Sequence, residues 1–386
     1  LASNDEIFAN ALQQSRAVLA QSAYYGKISI DEQRPPKKIP YAYRGPDPRQ
    51  FILNFPSLVR PLPILEKATT GLGLISVEPD SDGVVRRVPM VLSVNNRVYP
   101  SLSLEMTRIA LGDANRPFLP ISDERGIKEI ALTKKFRIPT DRDGTSWVYF
   151  AAENPEKRYI SAVNVIMGRV NPDRIKGKFI LVGTSAIGLS DIRNTPISPT
   201  LPGVEVHANV IETILTQSYL KRPLDTLGKE LLLALITGIL LIIVMPWIGS
   251  SFTLGLLIAI VVALAGFSWF QFIEHKTLFD ATYPVSSNLI LYSLLSYMDY
   301  IETSRERKHV KTAFSQYLSP ALLAQLADDP KRLQLGGEMK EMTIMFSDIR
   351  GFTAISEQFK DDPQGLTILI NQFLTSMTEV ILERKG

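Results

Sequence analysis

Three long apolar runs lie between residues 229 and 301, and they constrain the fold of this chain more than any other feature. The second run contains no charged residue, and the link between the first two is only four residues long, 248–251. A helix needs roughly 20 apolar residues to cross a hydrocarbon core about 30 Å thick. Three buried helices of a soluble core would fit these adjacent runs less well. The sequence therefore predicts three transmembrane α-helices, at residues 231–247, 252–272 and 283–301.

The composition excludes several classes of function. The 386 residues carry a net charge of only +3, without the concentrated basic patch of a nucleic-acid-binding protein, so we expect no nucleic-acid partner. The absence of cysteine excludes disulfides, thiolate metal sites and cysteine nucleophiles. The chain begins with Leu1 and stops at Gly386, directly after an amphipathic segment. We therefore expect it to be a segment of a longer protein, truncated at both ends.

Residues 1–228 have the pattern of a mixed α/β domain. Helical spacing covers residues 4–24, 101–112 and 204–215, and residues 71–77 and 84–94 are predicted to pair as strands around a turn. Two more strands flank the turn at Asp143 and Gly144. A buried strand at 179–182, followed by a loop and a helix, suggests a β-α unit of a mostly parallel sheet.

Few polar residues of this domain have the pattern of a binding site. Asp191, Arg193 and Asn194 are the best candidates, because they follow the predicted buried strand at 179–182. The alternative is that these three residues only form hydrogen bonds and ion pairs that stabilise the loop itself. We expect His207, on the helix at 204–215, to be a packed or hydrogen-bonded histidine and not a ligand.

The region after the apolar runs contains a candidate nucleotide site. A coupling helix is predicted at 303–318 and a strand at 341–346, and Asp348 follows that strand directly. Ligands of α/β sheets gather at the carboxyl ends of strands, although a lone carboxylate there can also form a turn or cap a helix. Gly351 allows close approach of the backbone, and successive N–H groups from Ile349 to Thr353 suit a phosphate. A carboxylate beside such a turn suits Mg²⁺ carrying a nucleotide triphosphate.

Residues 314–357 read FSQYLSPALLAQLADDPKRLQLGGEMKEMTIMFSDIRGFTAISE, which resembles the start of a class III adenylate/guanylate cyclase catalytic domain. The resemblance implies an α/β, ferredoxin-like domain that works as a head-to-tail homodimer. It implies that Asp348 and the carbonyl of Ile349 bind two Mg²⁺ or Mn²⁺ ions together with a second aspartate. The backbone of Gly351, Phe352 and Thr353 would hold the triphosphate of ATP, which is converted to 3′,5′-cyclic AMP and pyrophosphate.

The chain departs from this family in length. The second metal aspartate, the residues that read the base and those that stabilise the transition state are missing, so no complete catalytic set is present. We expect residues 338–386 to be the N-terminal part of the cyclase domain, residues 302–337 to be a cytoplasmic coupling helix and linker, and the chain as given to be inactive. Adenylate cyclase is favoured only because it is frequent in bacteria. A guanylate cyclase and a non-catalytic, cyclase-like module for dimerisation or nucleotide binding remain alternatives.

A second resemblance covers most of residues 1–300. The stretches GLGLISVEPDSDGVVRRVPMVL and GKFILVGTSAIGLSDIRNTPISPTLPGVEVHANVIETIL are similar to an extracytoplasmic CHASE-type sensor of the second type. Such sensors commonly precede three membrane spans and a cytoplasmic output domain. The resemblance implies a multi-pass protein of the bacterial inner membrane, in contact with lipid. Residues 1–228 would lie outside and receive an unknown extracytoplasmic ligand, and residues 302–386 would lie in the cytoplasm.

Overall fold

The computed structural model describes residues 3–26, 37–112, 115–151, 155–185, 191–223, 225–315, 341 and 343–384. The chain divides into two compact units, Leu1–Ser304 and Arg305–Gly386. All strands within the described residues belong to the first unit.

The strands of the first unit are short, as expected for a domain whose strands are joined by many turns. In chain order they are β1 (Val18–Tyr24), β2 (Asn54–Phe55), β3 (Ser57–Val59), β4 (Gly71–Leu74), β5 (Arg87–Pro89), β6 (Val91–Val94), β7 (Arg97–Pro100), β8 (Leu119–Asp123), β9 (Gly126–Ala131), β10 (Arg137–Pro139), β11 (Thr145–Trp147), β12 (Ile192–Arg193) and β13 (Leu201–Pro202). The helices along the chain are α1 (Asn4–Gln13), α2 (Pro63–Ala68), α3 (Leu102–Ala110), α4 (Pro155–Arg158), α5 (Ala162–Ile166), α6 (Gly203–Thr216), α7 (Thr226–His275), α8 (Thr282–Ser315), α9 (Phe352–Gln358) and α10 (Pro363–Glu383).

The strands form several small sheets, and most of their pairings are antiparallel. Strand β1 lies between β3 and a parallel β4, and β6 lies between β7 and a parallel β2. Strands β8, β9 and β10 form an antiparallel meander, while β5 pairs with β11 and β12 with β13. The prediction of a mostly parallel sheet was wrong. Tight turns such as the one at Asn95 and Asn96, both with positive φ, connect neighbouring strands and therefore reverse their direction.

The core of the first unit lies between the small sheets and the amphipathic helices α3 and α6. Both helices were predicted, and the Ser101 hydroxyl caps α3 by accepting a hydrogen bond from the Leu104 N–H at 3.2 Å. Leu104 and Val206 are fully buried. A Cβ added at Gly73 would lie 2.4 Å from the Leu102 Cα, so glycine at this position lets α3 pack closely against β4.

The N-terminal helix is shorter than predicted. Helical spacing predicted a helix over residues 4–24, but α1 ends at Gln13 and residues 18–24 form β1. The helical spacing of apolar residues is not unique over so few turns, and the segment gains two strand partners, β3 and β4, by becoming extended. Strand β4 therefore pairs with β1 and not, as predicted, with the strand that follows it.

The predicted buried strand at 179–182 is not formed. These residues have no regular structure, and Val182 is 92% exposed. An apolar run becomes a strand only when another strand satisfies its N–H and C=O groups, and no strand of the described residues lies beside this one. The predicted β-α unit is therefore absent from this part of the chain.

Helix α7 spans 50 residues and folds back on itself. A straight helix of this length would extend about 75 Å, yet the Leu278 N–H beyond its end donates to the Lys221 carbonyl before its start at 2.8 Å. The reversal occurs at Gly249, whose φ of 76° and ψ of 168° are non-helical and suit glycine. The two arms of α7 contain the predicted spans 231–247 and 252–272.

Two helices among the described residues are long and apolar enough to cross a membrane, α7 and α10. Only 17% of the most apolar window of α7 is buried against protein, so most of its apolar side chains lie on the surface. Helix α8 contains the predicted third span but is not apolar enough to meet this test. Its serines and Asn288 lower its hydropathy. Asn288 is nevertheless buried, and its amide donates to the Thr237 hydroxyl of α7 at 2.7 Å.

The second unit is described from residue 305 onward with gaps, and it contains the end of α8 together with α9 and α10. Residues 303–315 of the predicted coupling helix form the end of α8, and residues 316–337 of the predicted coupling helix and linker lie outside the described residues. The predicted strand at 341–346 is not formed in residues 343–346, and Phe346 is 93% exposed. No strand lies beside it in the described part of this unit, so its backbone N–H and C=O groups have no neighbouring strand to pair with. The predicted helix from Pro363 is confirmed as α10.

Candidate functional site

The predicted nucleotide loop forms a turn that leads into α9. Asp348 is exposed, and its Oδ1 accepts a hydrogen bond from the Ile349 N–H at 2.8 Å. The Phe352 N–H donates to the Ile349 carbonyl at 3.2 Å. Gly351 has a φ of 78°, which is the left-handed conformation that glycine adopts without strain. The turn therefore directs the first amides of α9, including that of Thr353, toward its N-terminal end.

The types of donor in this turn fit Mg²⁺ or Mn²⁺, but their number does not. Asp348 offers one carboxylate and Ile349 one carbonyl, both hard oxygen ligands. Within the described residues, no group of three or more potential metal-ligating side chains occurs. A divalent ion would therefore need further carboxylates from outside this set.

The three candidate residues of the sensor loop hold the loop itself in place. The Gly203 N–H donates to the Asp191 carbonyl at 2.8 Å, and Arg193 forms an ion pair with the Asp191 carboxylate at 3.6 Å. The Asn194 carbonyl accepts from the Val85 N–H at 2.7 Å. These bonds pair β12 with β13 and attach them to the rest of the first unit. They support the alternative of a self-bonded loop.

His207 is buried in the contact between α3 and α6. Its Nδ1 lies 2.8 Å from the Ser103 hydroxyl, and both side chains are almost fully buried. Burial lowers the pKa of His207 to about 4, against a partial opposing effect from a hydrogen bond to the Ile75 backbone. The imidazole is therefore neutral at physiological pH. The expectation of a packed, hydrogen-bonded histidine is confirmed.

A junction between the sensor body and α7 was not predicted from the sequence. The junction consists of residues 220–223 before α7 and residues 276–280 after it. The Lys221 N–H donates to the Lys276 carbonyl at 2.9 Å, and the Lys221 carbonyl accepts from Leu278. On the other side, Leu220 forms a bridge with Trp147 of β11. The segment 220–222 therefore connects the sensor sheet to the loop that leads into α8.

A buried carboxylate holds the junction together. Glu230 of α7 is fully buried, and it accepts a hydrogen bond from the Asp280 N–H at 2.7 Å and from Arg222 at 3.1 Å. A carboxylate without solvent is stable only when it is paired and hydrogen-bonded. In the sequence, Glu230 is a lone acidic residue at the start of an apolar run. This position was the one signal that could have revealed the contact.

Aromatic side chains form a second connection at the junction. Tyr149, just after β11, stacks on Phe272 of α7 with ring centroids 6.3 Å apart and planes 15° apart. The Lys276 ammonium lies 4.9 Å from the Tyr149 centroid. Such a cation–π contact contributes about 0.5–1 kcal/mol when it is exposed. The sensor and α7 are thus joined by backbone, ionic and aromatic contacts.

Comparison with known families decides what the first unit is. The CHASE2 domain model matches residues 2–245, which is more than half of the chain. The chain belongs to the CHASE2 domain family. CHASE2 domains are the extracellular sensor domains of signalling receptors. No curated protein and no solved structure matches the chain.

The CHASE2 match confirms the expected CHASE-type sensor. It also extends beyond the predicted boundary at 228, into the first arm of α7. The junction therefore lies partly within the CHASE2 region itself, since Glu230 belongs to the matched residues. The cyclase part of the prediction is not tested by this match and stays a prediction.

Proposed function

We propose that this CHASE2 chain is the sensor, membrane and first output segment of a receptor adenylate cyclase. The observation that carries the proposal is the turn from Asp348 to Phe352, which combines an exposed carboxylate, a left-handed glycine and a helix start. This combination suits a metal-bound nucleotide triphosphate. The resemblance of residues 314–357 to class III cyclases supports the same interpretation.

The proposed arrangement uses three membrane passages. The two arms of α7 and the apolar part of α8 would each cross the bilayer, which places the sensor and the output on opposite sides. The hydrogen bond between Asn288 and Thr237 supports α8 as the third passage, because such polar side chains connect transmembrane helices. The sensor would then be extracytoplasmic, and residues from 302 onward would be cytoplasmic, in the bacterial inner membrane.

The proposed chemistry is attack of the ribose 3′-hydroxyl on the α-phosphate of ATP, which forms cyclic AMP and releases pyrophosphate. Asp348 and the Ile349 carbonyl would contribute to binding Mg²⁺ or Mn²⁺, and the backbone at Gly351, Phe352 and Thr353 would hold the triphosphate. When bound, the two ions would activate the attacking oxygen and stabilise the leaving group. The remaining ligands would come from residues beyond this chain, and a homodimer would complete each site.

The test uses the full-length protein that carries this sequence, in membranes supplied with Mn²⁺ and either ATP or GTP. We expect cyclic AMP formation in the wild type and a loss of about 100-fold or more in Asp348→Ala. Asp361→Ala is the matched control, because Asp361 is also exposed but lies outside the turn. Cyclic GMP as the product would favour the guanylate cyclase alternative. An absence of both products would refute the enzyme and favour the non-catalytic module.

A further inference from the structure

A cleft on the sensor, separate from the loop of Asp191, lies beside the segment that enters α7. Its volume is about 210 Å³. One wall is the turn between β8 and β9, a second is the segment 139–142, and the third is the segment 220–223. Trp147 contributes to its lining, and its ring contacts the Arg87 guanidinium, 5.3 Å from the centroid.

The backbone fixes the walls of this cleft relative to one another. The Ile127 N–H donates to the Arg142 carbonyl at 2.9 Å, and the Thr140 N–H donates to the Lys128 carbonyl at 3.0 Å. Gly126 has a φ of 138°, and a Cβ there would meet the Arg142 backbone at 2.6 Å. The first two walls therefore form one rigid unit, which is a requirement for a preformed binding site.

The cleft is positively charged. Five basic side chains and two carboxylates line it. Asp123 pairs with Lys128 at 2.8 Å, and Asp141 is engaged by Arg87 at 3.3 Å. Burial raises the pKa of Asp141, an effect that Arg87 partly offsets.

Three of the basic residues lack an acidic partner. Arg222 is paired with Glu230, but Arg125, Arg142 and Lys221 form no ion pair with any described residue. All three residues line the cleft and are exposed, so they add positive charge to its surface. This charge is complementary to a negatively charged ligand.

We infer that this cleft binds a small anionic group, a phosphate or a carboxylate, with Arg125, Arg142 and Lys221 as its cationic partners. A volume of about 210 Å³ accommodates such a group. Arginine suits this role, because its planar guanidinium donates two parallel hydrogen bonds to a carboxylate or phosphate. The group can belong to a soluble ion or to the headgroup of an anionic lipid.

The backbone of Lys221 connects this cleft to the end of helix α7 and the loop that leads into α8. Lys221 lines the cleft, and its backbone is bonded to Lys276 and Leu278 at the junction. An anion that draws Lys221 toward Arg142 would therefore act on the loop between α7 and α8. The effect on the output rests on the proposed function, whereas the binding itself does not require a cyclase.

The test is isothermal titration of the purified chain with inorganic phosphate and, separately, with acetate. The chain is placed in nanodiscs of phosphatidylcholine, or of phosphatidylcholine mixed with phosphatidylglycerol. We expect saturable binding that weakens about tenfold in Arg142→Gln, the effect of losing one charge-assisted contact. Arg137→Gln is the matched control, because Arg137 is an exposed arginine paired with Glu129 outside the cleft.

Each outcome decides for or against the inference. Phosphate or acetate binding that is equal in both lipids and sensitive to Arg142→Gln supports a soluble anion. If phosphatidylglycerol weakens phosphate binding to the wild type but not to Arg142→Gln, the result supports a lipid headgroup as the ligand. The absence of binding in phosphatidylcholine, or binding that Arg142→Gln leaves unchanged, overturns the inference. A loss of cyclase activity would change none of these readouts, so failure of the proposed function is distinguishable.

Discussion

The buried imidazole of His207 makes the stability of the sensor depend on pH in a defined window. Its pKa is lowered to about 4 in the folded state by burial, against an unperturbed value of about 6.5 in an unfolded chain. Above pH 6.5 both states hold a neutral imidazole, and the folded state keeps its full stability. As the pH falls from 6.5 toward 4, only the unfolded state takes up the proton, so the free energy of unfolding decreases.

The size of this effect follows from the shift. A difference of about 2.5 pKa units corresponds to about 3 kcal/mol in total, of which about 2 kcal/mol is lost by pH 5. The measurement is urea unfolding of the chain in detergent at pH 7.5 and pH 5, followed by near-ultraviolet circular dichroism. Only the difference between the two pH values is used, because His207→Gln also changes the packing around Ser103.

The comparison of variants isolates the histidine. In His207→Gln we expect the loss of stability between pH 7.5 and pH 5 to be smaller than in the wild type by about 2 kcal/mol. In His309→Gln we expect the wild-type loss, because His309 is exposed. Equal losses in the wild type and in His207→Gln would refute the reasoning, since the imidazole would then be accessible to protons in the folded state.

Two further predictions concern buried charges. Glu105→Ala removes the carboxylate that pairs with the buried Arg108 guanidinium at 2.7 Å, so we expect the free energy of unfolding to fall by about 3–5 kcal/mol in urea unfolding. Replacing both residues by methionine should recover most of that loss, and no recovery would contradict the assignment. Glu230→Gln keeps an acceptor for the Asp280 N–H but removes the charge opposite Arg222. We expect a loss of about 2 kcal/mol and faster hydrogen exchange at residues 277–280, whereas unchanged exchange would show that the pair does not hold the junction.

Local signals in the sequence predicted some elements of the sensor and failed for others. Helices α3 and α6 were predicted from the helical spacing of their apolar residues, and the structure adds that Ser101 lies just before α3 and caps it. The predictions of a helix over residues 18–24 and of a strand at residues 179–182 were wrong for the same reason. Whether a short apolar segment becomes a strand depends on partners far along the chain, which a local pattern does not contain.

For the sites too, features set by neighbouring residues could be predicted, and features set by residues far apart in the chain could not. The turn at Gly351 could be predicted, because a glycine before a helix start has a local conformational meaning. The junction could not, because Lys221 and Leu278 meet only after α7 reverses at Gly249. The cleft likewise combines the β8–β10 meander and the residues that follow it with the distant segment 220–223, and no local spacing in the sequence brings Lys221 to Arg125 and Arg142.

The most direct test of the account is the side of the membrane on which each unit lies. The chain has no cysteine, so a single introduced cysteine is a unique label site. Ser81→Cys lies on an exposed turn of the sensor, and Glu357→Cys lies on exposed α9. With a membrane-impermeant maleimide on intact spheroplasts, we predict labelling of the first variant and labelling of the second only after permeabilisation. Labelling of both, or of the second alone, in intact spheroplasts would contradict a receptor whose sensor and output are separated by the membrane.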